Sequence, residues 1–213
     1  MSTHLPPLDP SRCAVVVVDL QNDFCHDDGT FSRIGYDLSA VQSILPAVNT
    51  LIDAAHAADV PVIMLRTTHG PWSDTPGWAR RPRVGDSDVD RIPVVLDGTW
   101  GAELYGLTPD PDDLILVKHR YSGFAYTPLE LALRAKSRDT VVLAGALTDV
   151  CVEATATDAI AAGFLAALVR ECTSTATPDR QVAAETAFAD HTGMVVNLNE
   201  VVAAWQVVGD PLA

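Results

Sequence analysis

The chain has 213 residues and a mass of 22.7 kDa, and its 48% hydrophobic and 20% charged residues describe an ordinary globular protein, not a disordered or fibrous one. Fourteen Lys and Arg stand against twenty-eight Asp and Glu, a formal net charge of −14, so nucleic acid and anionic membrane surfaces are repelled and neither is expected as a partner. No apolar run approaches the roughly 18 to 20 residues of a spanning helix, and the opening MSTHLPPLDPSRC lacks the basic and apolar regions of a secretion signal, so a cytoplasmic protein is expected.

No repeat, Gly/Ser linker or low-complexity block divides the chain, which predicts a single domain over residues 1–213 with a flexible N-terminal segment at 1–12. Residues 14–18 are a Val-rich apolar run closed by Asp19, the pattern of a strand buried on both faces. Val41, Ile44, Leu45, Val48, Leu51 and Ile52 then fall on one stripe at three- and four-residue intervals, a helix with Pro46 inside it. Residues 60–65 repeat the buried-strand pattern. Residues 70–113, with Pro71, Trp72, Trp78 and Trp100, show little periodicity and read as a long covering loop, a lid or a subunit contact. A third strand of the buried type follows at 114–117. Thr127-Pro128-Leu129-Glu130 offers an N-cap, a proline at the first helical position and a capping-box acid. Residues 141–143 form a strand, and residues 150–162 an Ala-rich helix stopped by Gly163. After a strand at 166–169, Thr177-Pro178-Asp179 opens a helix through 181–190 that stops at Gly193, and 194–196 is a weaker sixth strand.

This alternation predicts an α/β fold: a six-stranded, mostly parallel sheet with right-handed crossovers and helices on both faces. In such sheets ligands sit beyond the carboxyl ends of the strands. Residues 19–24, 67–69, 118–124 and 145–151 therefore become the functional candidates.

The four cysteines, Cys13, Cys25, Cys151 and Cys172, are far apart and form no CxxC, so each is judged as a thiol. Cys13 and Cys172 lie in or beside apolar strands and belong to the core, while Cys25, next to Phe24, is expected at the surface, with a place in the pocket lining as the alternative. Cys151 falls where a strand runs through a tight turn into the first turn of a helix, where backbone N–H groups and the helix dipole favour thiolate; a buried structural cysteine is the alternative. A cysteine nucleophile needs a base and oxyanion donors. Asp19 stands at a strand tip, where desolvation makes a carboxylate a better base, or where it caps a turn. Lys118 closes another apolar strand, either snorkelling to the surface or facing Asp19 and Cys151 to balance charge.

VVVVDLQNDF, VKHRYSGFAYTPL and AGALTDVCVEATATDA resemble, in that order, the three signature segments of the isochorismatase-like cysteine hydrolase superfamily, over nearly the whole chain. The resemblance implies a three-layer αβα fold, a catalytic triad of Asp19, Lys118 and Cys151, and a cis peptide at Ala146-Leu147 that turns the Leu147 N–H beside that of Cys151 as an oxyanion hole. In members that cleave the vinyl ether of isochorismate a small residue replaces the cysteine, so Cys151 implies amide or ureide C–N cleavage through a thioester, with no cofactor. Nicotinamidases carry Asp-x-His and further histidines around a metal. Here Arg66-Thr67-Thr68-His69-Gly70 has one histidine and no aspartate two before it, so no metal is expected and His69 reads as a polar rim residue. Arg120-Tyr121-Ser122-Gly123-Phe124 with Thr127-Pro128-Leu129 is most similar to ureidoacrylate and N-carbamoyl amidohydrolases, although the middle loop is shorter than in the former. The expected small-molecule substrate would then be lined by Phe24, Tyr121 and Phe124 and touched at a polar end by Ser122 or Arg120; ordinary loop packing is the other reading of these residues. Amide or lactam hydrolysis of larger compounds such as streptothricin-type antibiotics, nicotinamidase-like or isochorismatase-type activity, and a non-catalytic scaffold remain as alternatives. The family resemblance also implies a homodimer or homotetramer.

Overall fold

A run of six residues with no exposed side chain belongs in the middle of a sheet: residues 13–18, CAVVVV, are each 1% exposed or less. Burying a valine side chain contributes about 1.5–3 kcal/mol, so this run alone anchors the domain. The computed structural model describes residues 8–80 and 93–206. Its strands are β1 Cys13–Val18, β2 Val62–Thr67, β3 Leu114–Lys118, β4 Thr140–Ala146, β5 Leu165–Ser174 and β6 Met194–Val196. They form one sheet in the order β3-β2-β1-β4-β5-β6, with every neighbouring pair parallel.

The helices are α1 Asn22–Cys25, α2 Thr30–Arg33, α3 Ser39–Ser43, α4 Leu45–Ala57, α5 Pro76–Ala79, α6 Leu129–Ala135, α7 Glu153–Ala161, α8 Pro178–His191 and α9 Leu198–Gln206. Strand side chains alternate between two cores. Cys13, Val15 and Val17 pack with Val48 and Leu51 of α4 and Val201 and Trp205 of α9. Ala14, Val16 and Val18 pack with Leu129 and Leu133 of α6, Ala156 of α7 and Phe188 of α8. The result is a three-layer αβα arrangement, as the resemblance implies. Among the described residues no helix is long and apolar enough to cross a membrane.

Several expected elements shift. The helix drawn through Val41 and Ile52 is two helices broken at Ile44, and Pro46 sits in the first turn of α4, where its missing N–H is no loss. The strand at 114–117 is an edge and not a doubly buried strand: Leu114, Ile115 and Val117 are exposed, because an apolar run cannot say whether a neighbour will arrive on its far side. α6 starts at Leu129, so Pro128 is its N-cap and not its first helical residue; Thr127 Oγ1 accepts from Leu129 N–H at 3.2 Å from outside the helix, and Glu130 bonds Arg134 one turn on and completes no capping box. Thr177 caps α8 as expected, accepting from Arg180 N–H. The helix drawn over 150–162 begins only at Glu153, after a wide π-type turn over Thr148–Val152. The covering loop contains α5, a bridge between His69 and Leu96, and a 3-10 turn Trp100–Ala102, and its residues 81–92 lie outside the described residues. Of the N-terminal segment 1–12, residues 1–7 also lie outside them, whereas residues 8–12 are tied down: Trp205 Nε1 donates to the Leu8 carbonyl at 3.0 Å, and Arg12 pairs with Asp139. Cys25 is fully buried and not at the surface, because α1 turns its side chain into the same core that α4 and α9 cover.

Candidate active site

The strand order decides which residues meet. The chain winds from β1 outward to β2 and β3, then crosses back to β4, so β1 and β4 flank the point where the winding reverses and a crevice opens beyond their carboxyl ends. Across the sheet the ends present Lys118 on β3, Thr67 on β2, Asp19 just past β1, and residues 146–151 past β4. Asp19 leaves the strand with a left-handed φ of 54°, a region Asp tolerates better than most residues.

Lys118 is fully buried and does not snorkel. Its Nζ donates to Asp19 Oδ2 at 2.7 Å, to Thr67 Oγ1 at 2.7 Å and to the Arg120 carbonyl at 3.1 Å. All three ammonium protons thus have acceptors, which a charge removed from water requires. Burial works to lower the Lys118 pKa, but the Asp19 carboxylate and the Cys151 sulfur outweigh it and the net shift is upward, so the ammonium stays charged. Burial pushes the Cys151 thiol well above its usual value; the Asp19 carboxylate pushes the same way and Lys118 opposes both. The thiolate expected of a helix first turn is therefore not favoured here: Cys151 lies in the wide turn before α7, and burial and Asp19 outweigh Lys118. Burial is the first cause for the other thiols too and pushes Cys13, Cys25 and Cys172 up to about 12, with no lysine opposing it.

The turn that carries Cys151 is braced from three sides. At Gly145 φ is +108°, and a Cβ there would lie 2.1 Å from the Val18 carbonyl oxygen, so only glycine lets β4 pass this close to β1. The Ala146–Leu147 peptide is cis, and the Leu147 carbonyl accepts from the N–H groups of Val150 and Val152 at 3.1 and 3.2 Å. Asp149 accepts from Thr175 Oγ1 beyond β5 and from Arg180 Nε, at 2.8 Å, in the first turn of α8. Thr155 Oγ1 donates to the Cys151 carbonyl at 2.6 Å and accepts from Gly123 N–H at 2.9 Å, which ties the turn to the loop after β3.

The contacts of the remaining predicted residues are those of loop and core packing. Arg120 lies with its guanidinium over the Trp78 ring, 4.9 Å from the centroid, and donates through Nη1 to the Ser73 carbonyl at 3.1 Å. Tyr121 meets Trp78 edge to face at 5.0 Å. Ser122 is buried, its Oγ accepting from Phe124 N–H, and Phe124 packs against Phe164 in the α6–α7 core. Phe24 packs on the opposite core, edge to face with Phe31 at 4.9 Å. His69 Nδ1 bonds Asp74 Oδ1 at 2.8 Å. Among the described residues no group of three or more His, Cys, Asp or Glu side chains is placed to hold a metal ion.

Two residues escaped the sequence reading. Thr67 bonds both members of the ion pair, and Gln21, wholly buried, bonds the backbone of Thr67. A threonine at a strand end and a glutamine in a loop carry no pattern of their own. The available signal was position, since both fall in the strand-end segments flagged for function.

Against known proteins, the isochorismatase domain model matches residues 13–200. The chain is 32% identical over 182 residues to a ureidoacrylate amidohydrolase of Methylobacterium radiotolerans, covering 81% of this chain and 70% of that protein. Among solved structures it resembles a cysteine hydrolase from Pseudomonas syringae, with TM-score 0.79 and 30% identity over 97% of this chain and 99% of that one. It also resembles the N-carbamoylsarcosine amidase of Thermoplasma acidophilum, with TM-score 0.71 and 26% identity over 88% and 97%.

Proposed function

This chain belongs to the isochorismatase family, as a hydrolase of non-peptide C–N bonds, and we propose that it works through Cys151 as nucleophile, Asp19 as general base and acid, and Lys118 as the charge that keeps the pair balanced, on a small ureide or carbamoyl substrate. The observation that carries this reading is the buried Lys118–Asp19 ion pair at 2.7 Å set against the Cys151 thiol. A carboxylate held in so dry a place, beside a thiol whose burial disfavours the thiolate, is arranged to take that proton.

In the first step the Sγ proton passes to Asp19 and the sulfur electron pair forms a bond to the substrate carbonyl carbon. The carbonyl pair moves onto oxygen, where the N–H groups of Leu147 and Cys151 receive it, each such donor contributing on the order of 3 kcal/mol. Collapse breaks the C–N bond, Asp19 returns its proton to the leaving nitrogen, and an amine or ammonia departs from a thioester. Water then gives a proton to Asp19 and its oxygen to the carbonyl carbon, the C–S bond breaks to release the acid, and Asp19 returns the proton to sulfur, which regenerates the thiol. Arg120, Tyr121, Ser122, Phe24 and Phe124 are the proposed surroundings of the substrate. The similarity to a ureidoacrylate amidohydrolase and an N-carbamoylsarcosine amidase supports ureides and carbamoyl amino acids as the substrates to try first. A cytoplasmic site of action stays a proposal, as does a homodimeric or homotetrameric state, which rests on the family resemblance.

Ammonia release across a panel of ureides, carbamoyl amino acids, primary amides and lactams tests the reading. We expect turnover of a ureide or carbamoyl compound that is lost in Cys151→Ser. Full turnover by that variant, or activity confined to lactams, overturns it.

A further inference from the structure

One side chain in the buried network has no part in the steps above. Thr67 closes β2, between the strand that ends in Lys118 and the strand that precedes Asp19. Its hydroxyl carries a single proton, and an ammonium can only donate. The 2.7 Å bond from Lys118 Nζ therefore uses a lone pair of Thr67 Oγ1, and the hydroxyl proton is left for Asp19 Oδ1 at 2.9 Å. With Lys118 also donating to Oδ2, each carboxylate oxygen is gripped by one donor, which fixes the plane of the carboxylate beside the thiol.

Thr67 is itself held. Gln21 Oε1 accepts from the Thr67 N–H at 2.8 Å, and Gln21 Nε2 donates to the carbonyls of Thr67 and Ala102, both at 2.8 Å. A side-chain amide paired with both backbone groups of one residue acts as an extra rung at the end of β2. It fixes the end of that strand where the ladder would otherwise stop.

We propose that Thr67, clamped by Gln21, is a positioning residue that orients the Asp19 carboxylate for proton removal from Cys151. This rests on the reading of Asp19 as base and Cys151 as nucleophile. Replacing Thr67 with valine keeps the shape, removes the donor to Oδ1 and leaves one Lys118 proton without its acceptor, so the carboxylate turns toward Lys118 and away from sulfur.

The test is iodoacetamide labelling near neutral pH, resolved cysteine by cysteine by peptide mass spectrometry. In that reaction sulfur displaces iodide from carbon while the Sγ proton passes to Asp19. Thr67→Val should slow labelling of Cys151 about tenfold, equivalent to about 1.4 kcal/mol, and Thr67→Ser should restore it to within about threefold of the native rate. Cys13, Cys25 and Cys172 serve as controls for the fold, since general loosening speeds their labelling. If Thr67→Val exposes all four thiols, Thr67→Ala is read by the same criteria. Native-rate labelling of Cys151 in the valine variant overturns the proposal. So does a serine variant as slow as the valine one, which would make methyl packing the cause. Asp19→Asn separates the two levels: native-rate labelling there removes the base assignment itself, whereas slow labelling there with fast labelling in Thr67→Val removes only the role of Thr67.

Discussion

Lys118 has the same sequence signature whether it snorkels or is buried, since a lysine that closes an apolar strand is compatible with both. What settles its burial is a set of acceptors drawn from three other places in the chain, Asp19, Thr67 and the Arg120 carbonyl. Asp19 and Cys151 could be singled out by position, Asp19 directly after a buried strand and Cys151 in the turn that follows another. Thr67 could not, because a hydroxyl is informative only once its neighbours are known. The pairing has an energetic consequence. Lys118→Met leaves the Asp19 carboxylate buried without its counter-charge and should lower stability by about 3–5 kcal/mol. Adding Asp19→Asn removes the stranded charge and should recover part of that loss. Urea unfolding of the two single variants and the double variant measures the coupling, and additive losses would show that the pair does not act as one unit.

At the scale of elements, the strand positions were readable from continuous apolar runs, and their boundaries were not. β4 and β5 continue past the runs at 141–143 and 166–169 because pairing with neighbours, and not side-chain hydrophobicity, decides where a strand stops. The single helix drawn through Pro46 failed for a related reason: its stripe continues across the break at Ile44, since both helices present apolar residues to the same core. The close approach of β1 and β4 places the Cys151 turn beside Asp19, and it depends on Gly145. Gly145→Ala puts a methyl group 2.1 Å from the Val18 carbonyl at a φ of +108°, so stability should fall by about 3 kcal/mol or more, a size diagnostic of backbone strain and overpacking. Differential scanning calorimetry checks this, and an unchanged melting temperature would mean that the two strands tolerate separation.

For the whole molecule, the alternation of strand and helix was enough to place the sheet, its two covering layers and the crevice at the carboxyl ends. The net charge of −14 makes polyanions unexpected as partners but says nothing of the crevice, where a buried ammonium and a buried carboxylate cancel each other. The covering loop resisted reading because its tryptophans follow no period, and Trp78 meets Arg120 and Tyr121 through contacts that span some forty residues of sequence. Chemistry at the crevice comes down to whether carbon becomes bonded to Cys151 during turnover. Rapid acid quench of the enzyme with ureidoacrylate, or with the ureide it hydrolyses fastest, followed by mass analysis of the peptide carrying Cys151, measures this. An acyl mass on that peptide, formed within one turnover and absent from the peptides of Cys13, Cys25 and Cys172, is the predicted result; sustained turnover with Cys151 replaced by alanine and no adduct on any cysteine would contradict it.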